Sequence, residues 1–230
     1  MSKSLARQAT AELIGTAFLV TAVVGSGIAA TRLFPGEVGL QLLTNSVMTG
    51  AALTALILAL QPVSASFNPV VTLVERCVGS ISSRTALTLV AGQFGGGALG
   101  TVAANLMFDL DAVSWSGTDR DGAGVWLGEV VATFGLVLIV FGSLRAARPE
   151  TVAFAVGGYI AAAYWFTSST SFANPAVTAA RMLSDSFAGI APASAPAFVA
   201  LQVAGGLLAL LVVRFLFPIA PLPKLKEHVA

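Results

Sequence analysis

The chain has 230 residues, 56% of them hydrophobic and 10% charged, and a mean hydropathy of +0.87; soluble domains carry about a quarter charged residues. A water-soluble globular protein is thereby excluded and an integral membrane protein is left. The formal net charge of +1 gives no basis for a nucleic-acid or acidic partner, and the single cysteine, Cys77, excludes an intramolecular disulfide.

Residues 1–10 are polar, with Lys3 and Arg7, and run into a full apolar span without a convincing small-residue cleavage site, so no removed signal peptide is expected. Six stretches are each long enough, at about 20 residues, to cross a bilayer. They are residues 11–30, 38–60, 85–107, 125–144, 152–170 and 196–218. A Pro35-Gly36 turn joins the first two, an acidic, Gly-rich loop (109–124) the third and fourth, and a turn over 145–150 the fourth and fifth.

Two further segments follow the second and fifth spans. One reads Ser66-Phe67-Asn68-Pro69-Val70-Val71-Thr72, the other Ser171-Phe172-Ala173-Asn174-Pro175-Ala176-Val177-Thr178. Asn caps a helix through its side-chain oxygen, and Pro suits the first helical position, where no hydrogen bond is lost. Each copy is therefore expected to start a helix, over 68–78 and 174–184. At 1.5 Å per residue each would rise roughly 15 to 16 Å, about half the hydrocarbon core. Two half-helices of this kind, inserted from opposite faces, would meet at the midplane, their amide donors aimed at a passing solute and their positive dipole ends opposing cations.

The repeat extends further. Glu12 and Thr16 correspond to Glu129 and Thr133, and Gln93, Gly96 and Gly97 to Gln202, Gly205 and Gly206. Three spans per repeat is an odd number, so the second copy must be inverted. The intramembrane acids Glu12 and Glu129 carry either a functional site or a structural role, accepting hydrogen bonds from the half-helix backbone of their own repeat; their equivalence favours the latter. Gln93 and Gln202 read as polar anchors between spans, and the small residues beside them as close-packing positions.

Charge placement sets the expected orientation. With the N-terminus cytoplasmic, Lys3, Arg7, Arg76, Arg84, Arg145, Arg148, Arg214, Lys224 and Lys226 lie inside, and Arg32, Arg120 and Arg181 outside. Both termini are then cytoplasmic. Cys77, on the first half-helix, reads as a small apolar filler. The one histidine, His228, stands near the end of the chain, and no cluster for a metal, phosphate or nucleophile occurs, so neither an enzyme nor a cofactor is expected.

These residues resemble the major intrinsic protein family, the aquaporins and aquaglyceroporins. The match covers about residues 11–218 and includes both Asn-Pro pairs, both glutamates and both glutamines. The resemblance implies one all-α membrane channel domain over 1–230, with six transmembrane helices and two re-entrant half-helices. Repeat one would cover about 11–107, a loop 108–124 and repeat two 125–218, in a homotetramer of the inner (plasma) membrane. Asn68, Pro69, Asn174 and Pro175 would form the pore midplane. Glu12, Glu129, Gln93 and Gln202 would support the half-helices.

The departures from the family pattern bear on the solute. Val70 replaces the usual Ala and adds two methyl groups beside the midplane, and Ser66 stands where His is frequent. Val177 occupies the position of the usual filter Arg. By matching positions the outer constriction would comprise Thr49, Ala162, Ser171 and Val177, a wider ring than that of water-selective members. Arg181, four residues on and on roughly the same helix face, either projects to the outer mouth in place of that Arg or pairs with Asp185. Residues 169–192 are also similar to bacterial members associated with arsenic resistance. The resemblance thus implies passive passage of glycerol, arsenous acid, methylated arsenicals and water. A secondary transporter, a strictly water-conducting pore and a structural membrane protein are the competing readings; coupled transport would need titratable groups along the path, and Glu12 and Glu129 are the expected candidates.

Overall fold

The computed structural model describes residues 4–145 and 151–217; the charge positions Lys3, Arg148, Lys224 and Lys226, together with His228 and Pro218, lie outside them. Eight helices occur among the described residues: α1 (Leu5–Leu33), α2 (Val38–Leu60), α3 (Pro69–Cys77), α4 (Ser83–Met107), α5 (Ala123–Arg145), α6 (Val152–Phe166), α7 (Pro175–Arg181) and α8 (Ala195–Leu216). Five of them (α1, α2, α4, α5 and α8) are long and apolar enough to cross a membrane. The sixth span, α6, has 15 residues and rises only about 22 Å. It stops at Phe166 because the chain must turn back into the bundle to reach Asn174. The second half-helix ends at Arg181, one turn short of its expected end.

Local chemistry accounts for the helix starts. Ser4 caps α1 through Arg7 N at 3.3 Å, and Ser82 caps α4 through Thr85 N at 3.1 Å. Asn68 and Asn174 cap the half-helices, each followed by Pro in the first turn. Large apolar side chains such as Phe18, Leu87 and Phe215 point outward, at 62%, 73% and 82% exposure. A solvated protein would not show such a surface, whereas lipid is its natural covering.

Within each repeat the first helix packs on the last, α1 against α4 and α5 against α8. Glycines allow the approach: a Cβ on Gly96 would strike the Leu13 carbonyl, and one on Gly205 would lie 2.5 Å from the Val130 carbonyl. Their neighbours serve the other repeat. A Cβ on Gly97 would meet Ala180 of α7 at 3.0 Å, and one on Gly206 would strike Val70 of α3. The two extra methyls of Val70 therefore pack into α8 rather than widening or lining the path. Cys77 is exposed, so it does not fill a packing gap as expected.

Chain direction fixes which ends share a face. The start of α1, the end of α2, the end of α3 and the start of α4 lie on one side, with Arg7, Arg76 and Arg84. Arg145 and Arg214, at the ends of α5 and α8, join them, and Arg214 Nη2 donates to the Cys77 carbonyl at 2.8 Å. Arg32, Arg120 and Arg181 occupy the opposite side, where Arg32 Nη2 donates to the Phe108 carbonyl at 2.5 Å.

Candidate functional site

The two half-helices meet head to head, and their junction is made by the paired asparagines. Asn68 Oδ1 accepts from Val70 N at 2.9 Å, and Asn174 Oδ1 from Ala176 N at 3.0 Å and Val177 N at 3.2 Å. The amide nitrogens cross over. Asn68 Nδ2 donates to the Ala173 carbonyl and Asn174 Nδ2 to the Phe67 carbonyl, both at 2.7 Å. One hydrogen of each amide is therefore already engaged, and only the second is left for the cavity both side chains line. Phe67 and Ala173 both have φ of 48°, in the left-handed region that costs a non-glycine residue about 1–3 kcal/mol. In that conformation each carbonyl turns toward the opposite asparagine.

Carboxylates hold the strained segments. Glu12 Oε1 accepts from Ser66 N at 2.8 Å and Ser64 Oγ at 2.5 Å, and Oε2 from Phe67 N at 2.7 Å and Gln93 Nε2 at 2.8 Å. Glu129 repeats the pattern with Phe172 N and Ala173 N, each at 3.0 Å, and Gln202 Nε2 at 2.5 Å. Gln93 and Gln202 extend to Thr72 and Thr178 on the half-helices, both at 2.9 Å. Both acids are 0% exposed. Their oxygens are occupied by backbone and side-chain donors, which supplies partners for non-helical backbone inside the bundle.

A cavity of about 640 Å³ runs past this junction, from Gln8 and Gln61 at one end to Tyr164 and Arg181 at the other. Thr49, Ser171 and Val177 line it and are 3%, 3% and 5% exposed. Ala162 does not: it is exposed on the outer face of α6. Val152, Val156, Ile160 and Tyr164 are the α6 residues on the wall, and at the outer end the Tyr164 hydroxyl lies 3.2 Å from Thr49 Oγ1. Two residues along a helix is a rotation of about 200°, so Ala162 and Tyr164 face opposite ways. Tyr164 thus brings a larger and more polar group to this part of the wall than an alanine methyl would.

Arg181 is 1% exposed and sits over Phe172, its Cζ 3.3 Å from the ring centroid. Its Nε donates to the Ala188 carbonyl. Arg120, from the loop before α5, sits over the same ring at 4.9 Å and donates through Nε to the Gly189 carbonyl at 2.8 Å. Burial pushes the Arg120 guanidinium below its ordinary value. The expected alternative pairing of Arg181 with Asp185 does not form among the described residues; Asp185 Oδ1 accepts from Gly117 N at 3.1 Å. Two cations thus share one aromatic ring, one of them on the cavity wall.

At the opposite end the wall carries Glu75, on the last turn of α3, with Ser66 Oγ donating to its Oε2 at 2.9 Å. Glu12 and Glu129 are therefore not the carboxylates that face the path.

Residues 1–151 match the major intrinsic protein family. The chain belongs to that family. As a major intrinsic protein it is a membrane channel, not an enzyme. It is 46% identical over 213 residues to the aquaglyceroporin AqpS of Rhizobium meliloti strain 1021, covering 92% of this chain and 91% of that one. It also resembles in fold the aquaglyceroporin of Plasmodium falciparum, with a TM-score of 0.72, 16% identity, and coverage of 94% and 97%. The second half of this major intrinsic protein lies mostly beyond the matched residues. The support pattern of the first half nonetheless recurs in the second, where Asn174 caps α7, Phe172 N and Ala173 N donate to Glu129, and Gln202 bridges Glu129 and Thr178.

Sequence reasoning missed Tyr164 and Glu75. Tyr164 had a weak signal, being a polar aromatic near the end of an otherwise apolar span. Glu75 had a stronger one: it stands seven residues after Asn68, as Arg181 stands seven after Asn174.

Proposed function

We propose that this major intrinsic protein is a passive channel for small uncharged solutes, namely glycerol-type polyols and trivalent metalloid hydroxides such as arsenous acid or its methylated relatives, with water as a further permeant. The observation that carries the reading is Val177. It is an apolar, branched side chain on the cavity wall at the position three after Asn174, so the wall combines an aliphatic group with the Tyr164–Thr49 hydroxyl pair. A solute with an apolar edge and hydroxyl groups, uncharged at neutral pH, fits such a ring. The 46% identical relative is named an aquaglyceroporin, in keeping with a polyol permeant.

In this reading Arg181, on the cavity wall against Phe172, supplies the fixed positive charge of the outer half, and together with the facing half-helix N-termini opposes cations. Asn68 and Asn174, each with one free amide hydrogen, hand the solute across the midplane. Thr49, Tyr164, Ser171 and Val177 form the constriction. The protein sits in the inner (plasma) membrane with the basic side of the bundle facing the cytoplasm by the positive-inside rule, so that both termini are cytoplasmic. Four copies form a homotetramer, each with its own pore.

Proteoliposomes test the solute range directly. Uptake of arsenous acid and re-swelling in glycerol should both exceed protein-free liposomes, and Val177→Arg should reduce both. A second reading, a strictly water-conducting pore, is favoured by Tyr164, which narrows the ring; rapid water flow with neither solute entering would establish it.

A further inference from the structure

Glu75 and Arg181 occupy equivalent places on the two half-helices, each seven residues after its Asn, and both line the same cavity from opposite ends. Their surroundings differ. Arg181 is sealed against Phe172 at 1% exposure, whereas Glu75 is only half-buried. Ser66 fixes the Glu75 carboxylate at 2.9 Å through Oε2, and among the described residues Ser66 is its one hydrogen-bond partner. The next carboxylate, Glu12, is fully buried and bonded at both oxygens. The wall beside Glu75 is otherwise neutral, formed by Gln8, Gln61 and Ser80.

A neutral hydroxylated solute loses water on entering a narrow path, and each O–H it carries needs an acceptor there. Toward the midplane the wall presents asparagine amides, which are donors. A carboxyl oxygen supplies such an acceptor to a hydroxyl. From this geometry we propose that Glu75, positioned by Ser66, is a solute-binding station at the mouth on the N-terminal side, engaging polyols and metalloid hydroxides through their hydroxyl groups. The proposal rests on the channel reading above and adds a second point of selection, some way from the Thr49–Tyr164–Val177 ring.

The test measures glycerol and water permeability on the same proteoliposome preparations of the full-length protein. The variants are Glu75→Leu, Glu75→Gln and Ser66→Ala. Loss of one acceptor of ordinary net strength should lower the glycerol-to-water permeability ratio about 2- to 10-fold in Glu75→Leu. Glu75→Gln, which keeps an acceptor oxygen, should retain most of the ratio. Ser66→Ala, which frees the carboxylate without removing it, should lower the ratio by less, and it decides the matter should Glu75→Leu fail to insert. A ratio equal to that of the unaltered protein in Glu75→Leu, or failing its insertion in Ser66→Ala, overturns the proposal. Equal losses in the Leu and Gln variants overturn it too, because the acceptor would then not be what matters. Absence of glycerol flow in the unaltered protein is a different result: it contradicts the channel reading and removes this station with it.

Discussion

Asn174 and Phe67 are joined across the two repeats, the asparagine Nδ2 donating to the phenylalanine carbonyl at 2.7 Å, while Asn68 makes the mirror bond to Ala173. Each half-helix start is thus completed by the other repeat. Each asparagine caps its own helix with oxygen and satisfies the partner's strained carbonyl with nitrogen, so the junction is rigid and its remaining donors have fixed positions.

Asn174→Ala removes a cap and leaves the buried Phe67 carbonyl without its partner. The two losses together amount to roughly 2 to 4 kcal/mol. The thermal unfolding midpoint in detergent should fall and solute flow should be lost. An unchanged midpoint would show that the crossed bonds contribute little.

Glu12→Gln replaces an all-acceptor group by one that presents an NH2 to Ser66 N, Phe67 N or Gln93 Nε2, all of them donors. The expected result is lowered stability and poor insertion, since a buried donor facing donors leaves at least one unsatisfied, at about 1–3 kcal/mol each. A well-folded Glu12→Gln protein that has lost only a proton-dependent component of flow would instead favour coupled transport.

Tyr164→Ala opens the ring on the α6 side and removes the hydroxyl beside Thr49. Glycerol permeability should rise relative to water, while Tyr164→Phe, nearly equal in size, should change it little. Measured permeabilities in which Tyr164→Ala matches the unaltered protein would place the narrowest point elsewhere.

Val177→Arg puts a guanidinium one turn from Arg181 on the same face. Flow of glycerol and arsenous acid should drop severalfold, through reduced diameter and a second charge, without loss of folding, because Val177 faces the cavity. Unchanged flow in a correctly inserted variant would remove Val177 from the filter.

The fold was legible in the sequence because its determinants are local or symmetric. Apolar length marked the spans, Asn-Pro marked the half-helix starts, and the matched Glu12/Glu129 and Gln93/Gln202 pairs pointed to support of the half-helix backbone. What the sequence did not convey depends on rotation and on contacts between repeats. Ala162 and Tyr164 are two residues apart, and a short, almost entirely apolar helix such as α6 gives too little periodicity from which to tell the cavity side from the lipid side. The crossed asparagine bonds join residues more than a hundred positions apart, linking side chain to backbone, and leave no motif beyond the Asn itself. Arg181 was ambiguous for a similar reason: an i, i+4 acid was visible in the sequence, whereas the Phe172 ring that holds the guanidinium comes from the loop before the half-helix.

The most direct test of the central claim is stopped-flow light scattering on proteoliposomes challenged with a glycerol gradient, beside an impermeant osmolyte. A passive path through the cavity between Asn68 and Asn174 predicts fast shrinkage followed by fast re-swelling in glycerol, at a rate that does not saturate with concentration and needs no proton gradient. Re-swelling no faster than in protein-free liposomes, or a saturable rate that follows the proton gradient, would contradict it.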